Sequence, residues 1–128
     1  MLADYATMPT LAVADLPRAR QFYEGVLGFS PQGDAPDGVM YKAGPTTFLV
    51  YPSSYAGSNK ATAMAFQVPA DRFDDEVAAL RSHGLSFQTF EVEGISWADG
   101  VATWGDSRSV WFEDPDGNIL NLETGSAG

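Results

Sequence analysis

The chain has a single histidine and no cysteine among its 128 residues, which removes most catalytic constellations at once. There is no thiolate nucleophile, no thiolate metal ligand and no disulfide frame. His83 precedes Gly84 at the end of a helical pattern, where an imidazolium suits the C-terminal end of the helix dipole. A lone helix-end histidine builds no Ser–His–acid set. Acid–base work would fall to carboxylates, and Asp99, Asp106 and Glu123 are the candidates, although each also serves simply as a solvated surface charge. The remaining unusual material is aromatic. The segment 93–106 carries Gly94, Gly100 and Gly105 together with Trp97 and Trp104. Read as a loop, it either binds something or plugs the end of a sheet.

The bulk numbers set the frame for those residues. Hydrophobic residues make up 45% of the chain and the formal net charge is −10. That is enough apolar material for one core and one domain. The negative charge repels phosphate backbones, so nucleic acid is not an expected partner. It attracts cationic ligands, or merely keeps the surface solvated. No apolar run approaches the roughly 20 residues of a membrane helix, and the opening Met1-Leu2-Ala3-Asp4-Tyr5 lacks the character of a signal peptide. The expected setting is cytoplasmic, away from membranes.

The elements that must position these residues occur twice. Thr10 to Ala14 is strand-like, Asp15 is a helix N-cap with Pro17 in the first turn, and Gly28 stops the helix. Three strand candidates follow at Phe29–Gly33, Val39–Ala43 and Thr46–Tyr51. Asp34–Gly38 forms a turn and Gly44-Pro45 joins the last two strands. After a polar linker at 53–60 the pattern restarts. Ala61–Val68 is a strand, Pro69-Ala70-Asp71 opens a helix whose buried face carries Phe73, Val77 and Leu80, and His83-Gly84 closes it. Ser86–Val92, Ser107–Glu113 and Ile119–Thr124 are the next strands, the last two joined by Asp114-Pro115-Asp116-Gly117-Asn118. Val13 and Gly28 are 15 positions apart, Val68 and Gly84 16. The fold expected is α+β: two βαβββ modules, residues 9–52 and 61–124, forming a curved mixed sheet around a cavity in one domain.

Two motifs bring a family into view. Leu11-Ala12-Val13-Ala14-Asp15-Leu16 followed by Phe22-Tyr23-Glu24-Gly25-Val26-Leu27-Gly28-Phe29 resembles the opening of vicinal oxygen chelate proteins. Those include glyoxalase I, extradiol dioxygenases, and fosfomycin and bleomycin resistance proteins. Trp104-Gly105-Asp106-Ser107-Arg108 and Phe112-Glu113-Asp114-Pro115-Asp116-Gly117-Asn118 resemble the family's closing signature. The resemblance implies a divalent ion held in the cavity by four residues, and those positions fall on Met8, Val50, Ala63 and Asn121. Methionine, valine and alanine cannot replace the imidazole and carboxylate ligands such ions need. The expectation is therefore that neither a metal nor another cofactor is bound.

Strand alternation then gives a cavity list. With Val50 inward, Phe48 is inward too. With Asn121 inward, so is Glu123. The neighbouring strand turns Ser109 and Trp111 inward and leaves Val110 and Phe112 under the helix. Met8, Met40, Ala63 and Trp104 complete the set. Such a lining is apolar and aromatic with a few polar points, the usual makeup of a small-molecule cleft, unless Phe48 and Trp111 fill it themselves. The resemblance to bleomycin resistance proteins further implies a homodimer that sequesters a small, partly aromatic and cationic organic ligand, with no catalytic residue. The alternative is a lyase, isomerase or cyclase working without a metal in the same cleft, or a glyoxalase- or dioxygenase-like enzyme should a metal be bound. A weaker alternative is a protein-interaction module.

Overall fold

The computed structural model describes residues 1–35 and 37–124. It is an α+β structure that divides into two compact units. One comprises Met1–Ala63 with Asp114–Asn118, the other Met64–Glu113 with the chain from Ile119 onward.

The first unit contains strands β1 (Thr10–Val13), β2 (Pro31–Ala35), β3 (Gly38–Ala43) and β4 (Thr46–Pro52), in the sheet order β1-β4-β3-β2. β1 runs parallel to β4 and the other pairs are antiparallel. Helix α1 (Leu16–Arg20) starts as its sequence dictates. The Asp15 carboxylate accepts the Arg18 N–H at 3.2 Å and Pro17 sits in the first turn. The helix then widens into a π-helical turn over Gln21–Val26 and stops at Gly28, whose φ of 82° only glycine adopts without strain. Beneath it lie Leu11, Val13, Val39, Tyr41, Phe48 and Val50, all buried. Tyr23 stacks on Tyr41 with centroids 5.8 Å apart, and Phe29 meets Phe48 edge-on at 5.1 Å. β2 extends two residues past the predicted Phe29–Gly33 span. Of the predicted Asp34–Gly38 turn, Asp34 and Ala35 close β2 and Gly38 opens β3, while Pro36 lies outside the described residues.

Polar ties complete this unit. Asp114 is buried and accepts four hydrogen bonds: from the Tyr23 hydroxyl (2.8 Å), the Asn118 side-chain amide (2.8 Å), and the N–H groups of Asp116 and Asn118 (both 2.9 Å). Asp116 accepts the Ala14 N–H at 2.9 Å and Arg18 at 3.0 Å. The turn residues of the sequence thus form an anion-centred knot that pins the β1–α1 junction. On the helix side, the Glu24 carboxylate takes hydrogen bonds from Arg20 (2.7 Å) and from the buried Tyr41 hydroxyl (2.8 Å). Those bonds, Arg20 first, hold Glu24 below the usual glutamate range, while burial and the neighbouring carboxylate push Tyr41 above the usual tyrosine range.

The second unit has the sheet order β5-β9-β8-β7-β6, with β5 (Thr62–Gln67), β6 (Ser96–Ala98), β7 (Val101–Trp104), β8 (Ser107–Glu113) and β9 (Ile119–Glu123). Helix α2 (Phe73–Ser82) follows a short 3-10 turn at Ala70–Arg72. It packs Phe73 and Val77 against Val110 and Leu122, with Phe66, Val68, Leu80, Phe87 and Val101 around them. Arg108 covers this core from outside, its guanidinium 4.5 Å from the Phe73 ring centroid and bonded to Asp74 at 2.7 Å.

Here the strand count departs from expectation. Ser86–Val92 is not a strand; it runs irregularly and donates one backbone bond toward β8, from Gln88 N–H to the Trp111 carbonyl at 2.8 Å. The supposed loop at 93–106 instead holds the β6–β7 hairpin. Its turn is Asp99-Gly100, with φ of 51° and 79°, the pair of positive values a two-residue hairpin turn demands. Arg81 of α2 donates to the Asp99 carbonyl and ties the turn to the helix. No helix among the described residues is long and apolar enough to cross a membrane.

Candidate functional site

The second unit's sheet has one face under α2 and one face turned away, and register assigns each side chain. Val110 pairs with Leu122 and Phe112 with Leu120, which form the helix-side face. Ser109 pairs with Glu123 and Trp111 with Asn121, which form the other. β7 continues that second face, because Ala102 lies opposite Ser109 and Trp104 opposite Ser107. Trp97 follows from its pairing with Ala102. On β5 the Gln67 side chain reaches Glu123 at 2.6 Å while Phe66 packs toward the helix, so alternation turns Ala63 the same way as Gln67. Five expected residues, Trp104, Ser109, Trp111, Asn121 and Glu123, thus share one face, with Ala63 on its border strand.

Aromatic rings gather over this face. Phe90, Trp97 and Trp111 contact one another with centroids 4.9 to 6.0 Å apart and interplanar angles of 50 to 81°. Phe90 was not foreseen, although a signal existed: in an extended segment, residues 87 and 90 point to opposite faces. Phe87 packs against Phe112 on the helix side, while Phe90 reaches Trp111. Phe90 and Trp104 remain 39% and 38% exposed.

The polar centre of the face is Asn121. Its Nδ2 donates to the Val110 carbonyl (3.0 Å), the Leu122 carbonyl (3.5 Å) and Ser109 Oγ (3.2 Å). Two backbone carbonyls can only accept, so they fix which end of the amide is nitrogen. Asn121 and Ser109 are both buried.

In the first unit the expected list needs correction. Phe48 and Val50 lie under α1, paired with Tyr41 and Val39 and closed over by Tyr23 and Phe29. The face turned away from the helix carries Met40, Leu49 and Tyr51 instead, with Met40 opposite Leu49. The alternation was started one residue out of step, and a one-residue shift sends every side chain to the opposite face. Met40 is therefore on the outer face as expected, and Met8 precedes β1 and is 40% exposed.

The four positions that the resemblance assigns to a metal do not fit one. Val50 is sealed beneath the helix, Ala63 has no ligating atom, Met8 has only a thioether, and Asn121 has only a neutral amide oxygen. Stepping along β4 to Leu49 or Tyr51 supplies no carboxylate or imidazole. Among the described residues no three His, Cys, Asp or Glu side chains are grouped to hold an ion.

Known structures share this fold. The fosfomycin resistance protein FosX from Mesorhizobium loti superposes with a TM-score of 0.69 at 18% identity, over 97% of this chain and 94% of that one. Listeria monocytogenes FosX complexed with Mn(II) and sulfate gives 0.72 at 15% identity, over 96% and 91%. A glyoxalase/bleomycin resistance protein/dioxygenase from Alicyclobacillus acidocaldarius gives 0.69 at 15% identity, over 94% and 91%. Identities this low speak to the fold alone. No curated protein matches the chain in sequence. The family model does match, across residues 4–122, and with the two sheets and their helices in place the chain belongs to the Glyoxalase/Bleomycin resistance protein/Dioxygenase superfamily.

Proposed function

We propose that this protein binds a small, partly aromatic organic molecule without a metal and without making or breaking a bond, as a homodimer in the cytoplasm. The observation that carries the reading is the outer face of the second sheet. There a cluster of Phe90, Trp97 and Trp111 borders the polar Asn121 and Glu123 on adjacent strands. Flat apolar area beside a few fixed polar groups is the composition of a small-molecule site. The misfit of Met8, Ala63 and Asn121 to metal coordination supports binding over the metal chemistry of the manganese-bound FosX.

Tryptophan fluorescence tests it directly, since Trp97, Trp104 and Trp111 all report on the face. A panel of planar aromatic compounds, and bleomycin beside it, is titrated with and without EDTA. At least one compound should quench saturably with an affinity indifferent to EDTA. Trp111→Ala should weaken that binding about tenfold or more, as loss of a stacking partner does, while the denaturation midpoint stays near that of the parent. Unchanged affinity in Trp111→Ala removes this face from the site. Light scattering reads the assembly, and a monomer at micromolar concentration contradicts the dimer.

A second reading, a metal-independent lyase, isomerase or cyclase, draws on Glu123. Gln67 bonds one of its oxygens at 2.6 Å and orients the carboxylate. In that case Glu123→Gln abolishes turnover and preserves binding.

A further inference from the structure

The chain has five arginines, and four of them hold a carboxylate: Arg18 that of Asp116, Arg20 that of Glu24, Arg72 that of Asp75 and Arg108 that of Asp74. Arg81 holds none among the described residues. In a chain with 17 acidic and 7 basic side chains, that is the exception. Its guanidinium is nevertheless held in place. It donates to the Asp99 carbonyl, and its central carbon lies over the Phe87 ring, 5.3 Å from the centroid. The guanidinium N–H groups not turned to Asp99 have no partner among the described residues. Arg81 walls a cleft of about 470 Å³ at the C-terminal end of α2, together with Leu85, Ser86, Phe87 and the Asp99-Gly100 turn of the β6–β7 hairpin. Small-molecule sites enclose roughly 300–1,000 Å³. Phe87 packs on the helix side of the sheet, against Phe112, so the cleft lies away from the aromatic outer face. Two more polar groups of the cleft are uncommitted among the described residues, the Ser86 hydroxyl and the Asp99 carboxylate. Because the Asp99 carbonyl is bonded to Arg81, the carboxylate of the same residue stands near the guanidinium, yet the two do not pair. One positive and one negative charge thus share the cleft, each without a counter-charge. Leu85 and Phe87 add half-buried apolar surface between them.

We propose that this cleft is a second binding site, separate from the outer face, for a zwitterionic α-amino acid with an apolar side chain. The ligand carboxylate takes the open fork of Arg81, a planar donor pair matched to two oxygens. The ammonium goes to the Asp99 carboxylate, beside the negative end of the α2 dipole, and the side chain lies against Leu85 and Phe87. A simple carboxylate would set like charge against Asp99, and a simple amine would set it against Arg81. A zwitterion answers both, and with no net charge of its own it is not repelled by the −10 of the chain. The fixed guanidinium lowers the ordering cost of binding. Arg81 and Asp99 are exposed, where ion pairs are weak and screened by salt, so the affinity expected is about millimolar.

Three probes with one branched side chain separate the contributions: L-leucine, isocaproate, which lacks the ammonium, and isoamylamine, which lacks the carboxylate. Each is titrated into the isotope-labelled full chain near pH 7 and followed by amide chemical shifts. L-leucine should move the signals of Ser86, Phe87, Asp99 and Gly100 saturably, with an affinity at least about fivefold above that of either fragment. The indole N–H signals of Trp104 and Trp111 should stay in place. Asp99→Asn preserves the fold, because Asn-Gly is a preferred pair for this turn, and should bring leucine down to the affinity of isocaproate. Arg81→Lys keeps the charge but loses the fork and should weaken leucine several-fold; Arg81→Gln should abolish saturation. Equal affinity for leucine and either fragment, or unchanged leucine affinity in Asp99→Asn and Arg81→Gln, overturns the proposal and leaves Arg81 as a tether of the hairpin. So does the absence of a saturable shift at these amides up to about 20 mM leucine. None of these results bears on the outer-face reading, since the probes carry no aromatic ring.

Discussion

Replacing Tyr23 by Phe removes a single hydroxyl from the first unit, and the structure sets the size of the loss. The Tyr23 ring is fully buried, in contact with Phe22, Tyr41 and Phe48 at centroid distances of 5.2, 5.8 and 5.8 Å, and all of these contacts survive in phenylalanine. What is lost is the 2.8 Å bond from the hydroxyl to Asp114. A hydrogen bond to a charged group contributes about 1.5–3 kcal/mol. Three other donors still reach Asp114, so the carboxylate is weakened and not orphaned. The expected cost is therefore about 2 kcal/mol, or a melting temperature lower by roughly 6–10 °C for a chain of this size. Urea unfolding followed by far-ultraviolet circular dichroism measures it, with the midpoint falling and the slope unchanged. Asp114→Ala should cost more, about 3–5 kcal/mol, because it strands the Tyr23 hydroxyl and the Asn118 amide together in a buried place. A loss below about 0.5 kcal/mol in Tyr23→Phe, or a smaller loss in Asp114→Ala than in Tyr23→Phe, would refute the view that this anion-centred knot anchors the helix.

Phe48→Ala should lower stability by about 3–5 kcal/mol, the usual cost of emptying a buried aromatic site, and calorimetry on the folded fraction should find ligand affinity unchanged because the ring lies under the helix. Gly100→Ala places a Cβ 3.1 Å from the Phe87 Cβ at a φ of 79°, so a loss of about 1–3 kcal/mol is expected in the urea midpoint. Glu24 titrates below the usual glutamate range in the folded protein. Its contribution is thus complete above the unfolded-state value near 4.5 and is lost as pH falls below it. As pH falls below about 4.5, melting temperatures of the parent should drop more steeply than those of Glu24→Gln, and parallel curves would remove Glu24 from the account.

The elements that sequence reasoning located correctly are those whose local chemistry and tertiary role coincide. Asp15 caps the first helix, Gly28 and Gly84 stop the two helices at φ values of 82° and 85°, and Asp114 to Asn118 makes the tight turn. Each is fixed by bonds to residues close in sequence, so the sequence states them in full. The β6–β7 hairpin was missed for the opposite reason. Its strands are only three and four residues long, too short for alternation to register against a background of glycines. The Asp99-Gly100 pair was the usable signal, being a preferred sequence for a two-residue turn. Ser86–Val92 alternated convincingly enough, yet a strand also needs a free partner edge along its length. β7 pairs with the Ser107–Ser109 end of β8, and among the described residues the passing segment's one backbone bond to that sheet is from Gln88 to Trp111.

The candidate site divides along the same line. β8 and β9 alternate plainly, Ser109 and Trp111 against Val110 and Phe112, and Asn121 between Leu120 and Leu122. One polar residue between two apolar ones announces which face is which. β4 reads Thr46-Thr47-Phe48-Leu49-Val50-Tyr51-Pro52, with apolar side chains on both faces, and no pattern within such a strand distinguishes inside from outside. Only the partners decide. Tyr41 and Val39 pair with Phe48 and Val50, and Tyr23 and Phe29 descend on them from the helical side. Leu49 and Tyr51 on the outer face of β4 stay half-buried, while Phe48 and Val50 on the inner face are fully buried. Glu123 and Asn121 stand beside the aromatic side chains of the second outer face, whereas Met40 and Leu49 face each other across the first, so polar groups beside the rings mark the second face in the sequence.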